Sequence, residues 1–222
     1  MDIERFAAEL PALFEDFPRS SQPKGARFDD VIAGVPNLAE ENVLALLNLA
    51  ASLLAPGESY VEVGSYYGAS LIGAMRNNEG DFVAIDRFEF GPLEVKGVNL
   101  PAASREGLEA KLRGFGADAT ILEGDAFEVL EGGGLGDRRV GVYYYDGAHD
   151  YDSQVRGLRA VEPWLAPEAL LVVDDHDWDD VGRATRDYLA EEPRARLLFE
   201  IRGHERDHPQ WWDGVAVLGW RA

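Results

Sequence analysis

Two short apolar runs end in acids. VGVYYYD closes on Asp146, and ALLVVDD closes on Asp174 and Asp175; His149 follows the first run by three residues and His176 directly follows the second. Three carboxylates brought together need a counter-charge, because without one their mutual repulsion raises carboxyl pKa values. A magnesium or calcium ion supplies it, since hard divalent cations take oxygen ligands. Such an ion would hold a substrate hydroxyl in a more acidic, near-anionic form and orient it, acting as Lewis acid and template. Imidazole titrates near neutrality, so His149 is the candidate base. His176 is the competing base or a metal-adjacent ligand. Either histidine also reads as a locally hydrogen-bonded loop residue, and His204 and His208 read as loop residues. Trp178, Trp211 and Trp212 are candidates for an aromatic wall around a sugar or aryl ring, or alternatively for the core or an interface.

A second constellation precedes these acids. The stretch Glu62-Val63-Gly64-Ser65-Tyr66-Tyr67-Gly68 is a glycine turn between a strand pattern and a helix pattern, where missing side chains let the backbone approach a nucleotide. It departs from the dinucleotide fingerprint because Tyr66 occupies the place of the second glycine, which disfavours NAD or FAD. The next strand pattern ends in Asp86, whose carboxylate can accept both hydroxyl hydrogens of a ribose. The following one ends in Gly124-Asp125-Ala126, where an acid can take a hydrogen bond from an adenine amino group while Ala126 leaves room for the ring. Asp125 equally suits the N-cap of the helix pattern AFEVLEG, and the two roles are compatible.

These residues share one position in the chain's architecture. SYVEVG, DFVAID, ATILEG, VGVYYYD and ALLVVDD are short β-branched and aromatic runs, alternating with helical patterns at ASLIGAMRN, ASREGLEAKLRGF, AFEVLEG, SQVRGLRAVEPWL and DVGRATRDYLAEE. Alternation of this kind predicts an α/β fold with a parallel sheet, and the nearly continuous apolar strands predict helices on both faces. In such doubly wound sheets the ligand sits beyond the carboxyl ends of the strands, where the glycine turn and all the acids fall. ARLLFEIRG and GVAVLGW lie too close together for a crossover helix, so the last two strands form an antiparallel pair. Ahead of the sheet, residues 1–17 carry apolar positions at helical spacing until Pro18, and a loop leads to Asn37 as N-cap of a helix reaching about Pro56. Residues 1–56 are thus expected to form a helical lid or substrate region on a catalytic domain of residues 57–222, in one compact unit.

Composition narrows the partners. With 222 residues, 46% hydrophobic and 28% charged, the chain is ordinary for one globular core. A net charge of −20 repels phosphate backbones and anionic lipid, which excludes nucleic acid and membrane surfaces. The absence of cysteine excludes disulfides, thiolate nucleophiles and zinc–sulfur sites. No signal peptide or apolar spanning stretch is evident, so the expected location is cytoplasmic, and the apolar N-terminal helix offers a surface for a homodimer.

The ordered set YVEVGSYYGAS, VAID, LEGDA, YYYDGAHDYD and LLVVDD resembles the class I S-adenosylmethionine-dependent methyltransferases over about residues 36–180, and in particular small-molecule O-methyltransferases of the catechol and macrocin type. The resemblance implies a Rossmann-like seven-stranded sheet with a reversed final hairpin. It implies that Glu62, Gly64 and Gly68 line the methionine part of the cofactor, Asp86 the ribose and Asp125 the adenine. Ser65 and Ser70 become extra donors, and Arg87, Gly124, Ala126 and Asp146 complete the cofactor-binding set. Pro36 and Asn37 fall where the family's N-terminal lid closes. Metal-dependent members place a divalent cation on an acid of one strand and two consecutive acid or amide residues of the next, an arrangement matched by Asp146, Asp174 and Asp175. The expected activity is methylation of a hydroxyl on a small acceptor, sugar-containing or aromatic, with magnesium assistance. Two alternatives stand beside it: the different chemistry of the similar cephalosporin hydroxylases, and a binding module without catalysis.

Overall fold

The computed structural model describes residues 1–222 except 26, 96 and 204–210; His204 and His208 therefore lie outside the described residues. Seven strands form the main sheet: β1 (Glu58–Val63), β2 (Asp81–Asp86), β5 (Thr120–Glu123), β6 (Arg139–Tyr145), β7 (Leu165–Val173), β8 (Ala195–Ile201) and β9 (Val215–Arg221). Their order is β5-β2-β1-β6-β7-β9-β8. The first five run parallel, and β9 lies between β7 and β8, antiparallel to both. This is the doubly wound α/β fold with a reversed final hairpin that the sequence led us to expect.

Period-two alternation of the strands gives each face its own core. Tyr60, Val142, Tyr144, Leu170 and Val172 pack against α3 (Glu41–Ser52), α4 (Ala69–Met75) and the N-terminal residues Ile3, Phe6 and Leu10 of and beside α1 (Ile3–Glu9). Val61, Val63, Ile85, Tyr143, Leu171 and Val173 form the other core with Leu158 of α7 (Tyr151–Val161) and Val181 and Tyr188 of α8 (Asp179–Glu191). The N-terminal helices thus share a core with the sheet. Among the described residues, no helix is long and apolar enough to cross a membrane.

Four local expectations are corrected. Pro11, not Pro18, ends the first helix, since its ring starts a 3-10 turn at Pro11–Leu13. A short helix, α2 (Asp29–Gly34), occupies part of the segment read as a loop. Asn37 does not cap α3, whose N-cap is Glu40. Its amide instead donates to the carbonyls of Ile32 and Val35 and accepts from the N–H of Ala39, the local competition with helix that Asn side chains favour. Finally, the loop FEFGPLEVKGVNLP contains a hairpin of β3 (Leu93–Val95) and β4 (Val98–Leu100), with Gly97 at a positive φ of 82° between them. The remaining helices are α5 (Arg105–Gly114) and α6 (Ala126–Glu131).

Candidate active site

Beyond the strands' carboxyl ends, neighbouring chain segments stay tied together by backbone hydrogen bonds. Gly124 N–H donates to Asp86 O (2.9 Å), Gly64 to Ile85 O (3.0 Å), Asp146 to Val63 O (3.0 Å) and Asp174 to Tyr145 O (3.1 Å). The glycine at position 64 is required twice: its φ is 85°, and a Cβ there would lie 1.8 Å from the carbonyl oxygen of Asp146. The result is a floor on which five strand ends are fixed relative to one another.

Over this floor opens a cleft of about 570 Å³. Gly64, Ser65, Ser70, Asp86, Arg87, Gly124, Asp125, Ala126 and Asp146 line it, as do Pro36 and Asn37 from the segment between α2 and α3. Both Asp86 oxygens accept backbone N–H groups, of Tyr66 (2.7 Å) and Phe88 (2.7 Å), which aims the carboxylate; each oxygen keeps a second lone pair for a ligand hydroxyl. One Asp125 oxygen caps α6 through the N–H groups of Phe127 and Glu128, and the other lies 3.5 Å from the Arg87 guanidinium. The cap and a cleft-facing role thus use different oxygens of the same side chain.

Glu62 and Gly68 stand behind the wall rather than in it. Gly68, at φ 83°, packs against Leu108 and begins α4. Glu62 is fully buried, accepting from Tyr60 Oη (2.9 Å) and Ser70 Oγ (2.9 Å), and burial pushes its carboxyl up to about 7 against the pull of those donors. Its partner Ser70 lines the cleft, so Glu62 reaches the site through a hydroxyl.

At the other end of the cleft, His149 Nε2 lies 2.8 Å from Asp175 Oδ2 and 3.8 Å from Asp146 Oδ1. Burial opposes its charged form, yet the two carboxylates outweigh that effect and push the imidazole up to about 10. Held this way it is a proton donor; to accept a proton it needs those carboxylates to face another cation. Asp175 turns toward the cleft through a left-handed backbone at φ 51°, a costly conformation for a non-glycine residue that concentrates at functional sites. Trp178, largely exposed, stacks on His149 with ring centroids 4.9 Å apart.

Asp174 lines the cleft beside this group with a different partner. Its Oδ2 accepts the hydroxyl hydrogen of Tyr144, and burial, with the charges of Asp146 and Asp175, holds its carboxyl well above the ordinary range. The three carboxylates line one cleft as expected, two beside His149 and the third bonded to a tyrosine to which sequence reading gave no role. The signal for Tyr144 was its register: it pairs with Glu62 across β1 and β6, on the sheet face that carries Tyr60. His176 is brought elsewhere. It is buried, its ring 3.8 Å from Glu200, outside the cleft lining.

The aromatic wall divides in the same manner. Trp211 belongs to the core, against Phe14 and Phe17, with its indole N–H on the Pro18 carbonyl. Trp212 lines the cleft. Unforeseen lining residues are Tyr66, Tyr67 and Phe90, in edge-to-face contact; the two tyrosine hydroxyls donate to the carbonyls of Pro101 and Ala102 just after the β3–β4 hairpin.

The description "methyltransferase domain" matches residues 61–176, more than half of the chain and the whole floor from β1 to the end of β7. Among curated proteins, none matches by sequence. Solved structures with the same fold include the O-methyltransferase TomG of Streptomyces achromogenes, involved in tomaymycin synthesis, in complex with S-adenosylmethionine (TM-score 0.61, 18% identity, 100% of each chain covered). CalS11, a TDP-rhamnose 3'-O-methyltransferase of calicheamicin biosynthesis, is similar at TM-score 0.56 and 21% identity, over 99% of this chain and 96% of that one. An O-methyltransferase from Bacillus cereus in complex with S-adenosylhomocysteine gives 0.56 and 12%, over 81% and 79%. At such identities the likeness is one of fold; the family match carries the assignment, and the chain belongs to the class I S-adenosylmethionine-dependent methyltransferases.

Proposed function

We propose that the protein methylates a hydroxyl of a small acceptor, sugar-containing or aromatic, with help from a divalent cation. The observation that carries this reading is the single cleft that runs from Asp125 and Asp86, over the glycine turn, to the carboxylate–imidazole cluster of Asp146, His149 and Asp175. In it Asp86 would accept the ribose hydroxyls and the Asp125 oxygen that does not cap α6 the adenine amino group, while Gly64 lets the methionine portion lie against backbone. S-adenosylmethionine supplies a sulfonium-activated methyl: the acceptor oxygen forms the new bond, the sulfur–methyl bond breaks, and the hydroxyl proton departs to water at the cluster.

The cluster suits a cation because two carboxylates meet there, with no arginine or lysine between them among the described residues, and a buried imidazole nitrogen stands beside both. Asp146 and Asp175 would hold the ion, and its charge would make the acceptor hydroxyl more acidic. Ordered side chains do the rest. Trp212 in the cleft lining and Trp178 beside it on His149 would give a ring-bearing acceptor aromatic surfaces, and Pro36 and Asn37, which also line the cleft, would help to exclude water. The likeness to CalS11, a TDP-rhamnose 3'-O-methyltransferase, agrees with a sugar-containing acceptor.

Calorimetric titration with S-adenosylmethionine and S-adenosylhomocysteine, with and without magnesium, tests the reading. Binding that Asp86→Ala weakens supports it and opens an acceptor screen. No binding to the folded protein overturns it.

A further inference from the structure

Sequence spacing pointed to a cation held by three carboxylates, and the folded chain assembles a different set. One ligand atom from each of Asp146, His149 and Asp175 lies within 4.8 Å of the other two, a spread that a single ion can bridge. His149 Nε2 is a buried atom, close to both carboxylates yet without an aligned hydrogen-bond partner. The ring is held in this pose by its stack against Trp178. Asp174 lines the same cleft, but it gives an oxygen to Tyr144 and stands outside that group. Just past β7, the positive φ at Asp175 turns that carboxylate toward His149 while Asp174 stays with Tyr144.

We infer that the cation centre of this protein is Asp146–His149–Asp175, with Asp174 excluded, so that one ligand is an imidazole nitrogen. The inference deepens the proposed function and rests on its divalent cation. Its chemical consequence is selectivity. Magnesium prefers an all-oxygen shell, whereas imidazole suits first-row transition ions, so the centre fits manganese, iron or cobalt better than magnesium. It also changes what His149 does: a nitrogen lone pair given to a metal cannot take a proton, and His149 becomes a ligand instead of the base.

Manganese is the probe that separates these readings, because its electron spin registers a directly bound nitrogen. The protein is titrated with Mn²⁺ alone, followed by electron paramagnetic resonance, and the bound form is examined by electron spin-echo modulation for ¹⁴N coupling. The expected result is bound Mn²⁺ with imidazole coupling in the wild type. His149→Gln should lose the coupling and bind on the order of tenfold or more weakly; Asp175→Asn should bind comparably weakly. Asp174→Asn, whose amide preserves a partner for Tyr144, should stay within about threefold of wild type, the small change expected of a group that donates no metal ligand. Circular dichroism on each variant confirms that it is folded. Folded wild type that takes no Mn²⁺, Mn²⁺ bound without nitrogen coupling, or an Asp174→Asn loss as large as that of Asp175→Asn would overturn the inference. S-adenosylmethionine titration of the same samples reads the methyl-transfer proposal separately, since its binding requires none of these four side chains to hold metal.

Discussion

The two ends of the cleft are built by different means. At the end that holds Asp86 and Asp125, backbone does the positioning: amides of Tyr66 and Phe88 aim one carboxylate, and the first turn of α6 aims the other. At the end that holds Asp146, His149 and Asp175, side chains position side chains, through an ion pair, a ring stack and one strained residue. A backbone-built site depends on a few glycines and acids at fixed places, so it tolerates little change. A side-chain-built site can be retuned one residue at a time, which suits the end that must match a particular acceptor.

The sharpest way to break the first end is Gly64→Ala. A methyl group at 1.8 Å from the Asp146 carbonyl, on a left-handed backbone, combines overpacking with conformational strain. The expected loss is about 3–5 kcal/mol of stability, visible as a large fall in thermal midpoint; an unchanged midpoint would show that the two loops are not locked. Asp86→Ala should leave the protein folded and weaken S-adenosylmethionine by roughly 10–100-fold, the worth of about 1.5–3 kcal/mol for bonds to a charged group. Asp125→Ala should combine a smaller loss of affinity with about 1 kcal/mol of lost helix capping, checked by titration and melting together.

Glu62 offers a pH probe of the region between the two ends. Its carboxyl rests near 7 in the folded chain and near the ordinary 4.5 when unfolded. A raised carboxyl pKa means that the unfolded state loses its proton first, so this group's contribution to stability is complete below pH 4.5, falls as the pH rises to 7, and is flat above. Glu62→Gln should therefore gain on the wild type by on the order of 2 kcal/mol between pH 4.5 and 8, measured by denaturant unfolding. A constant difference across that range would mean that Glu62 is ionised in place. The mildest change concerns the acceptor end: Trp178→Ala should shift stability by less than about 0.5 kcal/mol, as for an exposed side chain, and leave cofactor affinity intact while raising KM for the acceptor. Equal KM values would remove Trp178 from acceptor recognition.

The same division governs what the sequence could disclose. Residues whose role depends on strand ends were legible, because a strand pattern fixes where its end falls: Gly64, Asp86, Gly124 and Asp125 all line the cleft. Residues whose role depends on which neighbour they meet were not. Asp174 and Asp175 are adjacent in sequence, and only the folded register reveals that one meets Tyr144 and the other His149. Trp211 and Trp212 are likewise adjacent, one in the core and one in the cleft. The β3–β4 hairpin was readable in principle from Leu93, Val95, Val98 and Leu100 alternating around Gly97, but strands this short are easily lost in a loop rich in glycine and proline.

The lateral hydrogen bonds that join Gly124, Asp86, Gly64, Asp146 and Asp174 make the sheet a ruler. Neighbouring strands are spaced about 4.8 Å apart, so the ends of β5 and β7, four intervals apart in the sheet, stand about 19 Å from each other whatever side chains they carry. Reach along the cleft is thus set by counting strands, and chemistry by what stands on each graduation. New acceptors can be accommodated by changing the rim, because no substitution there alters the scale on which donor and acceptor are laid side by side.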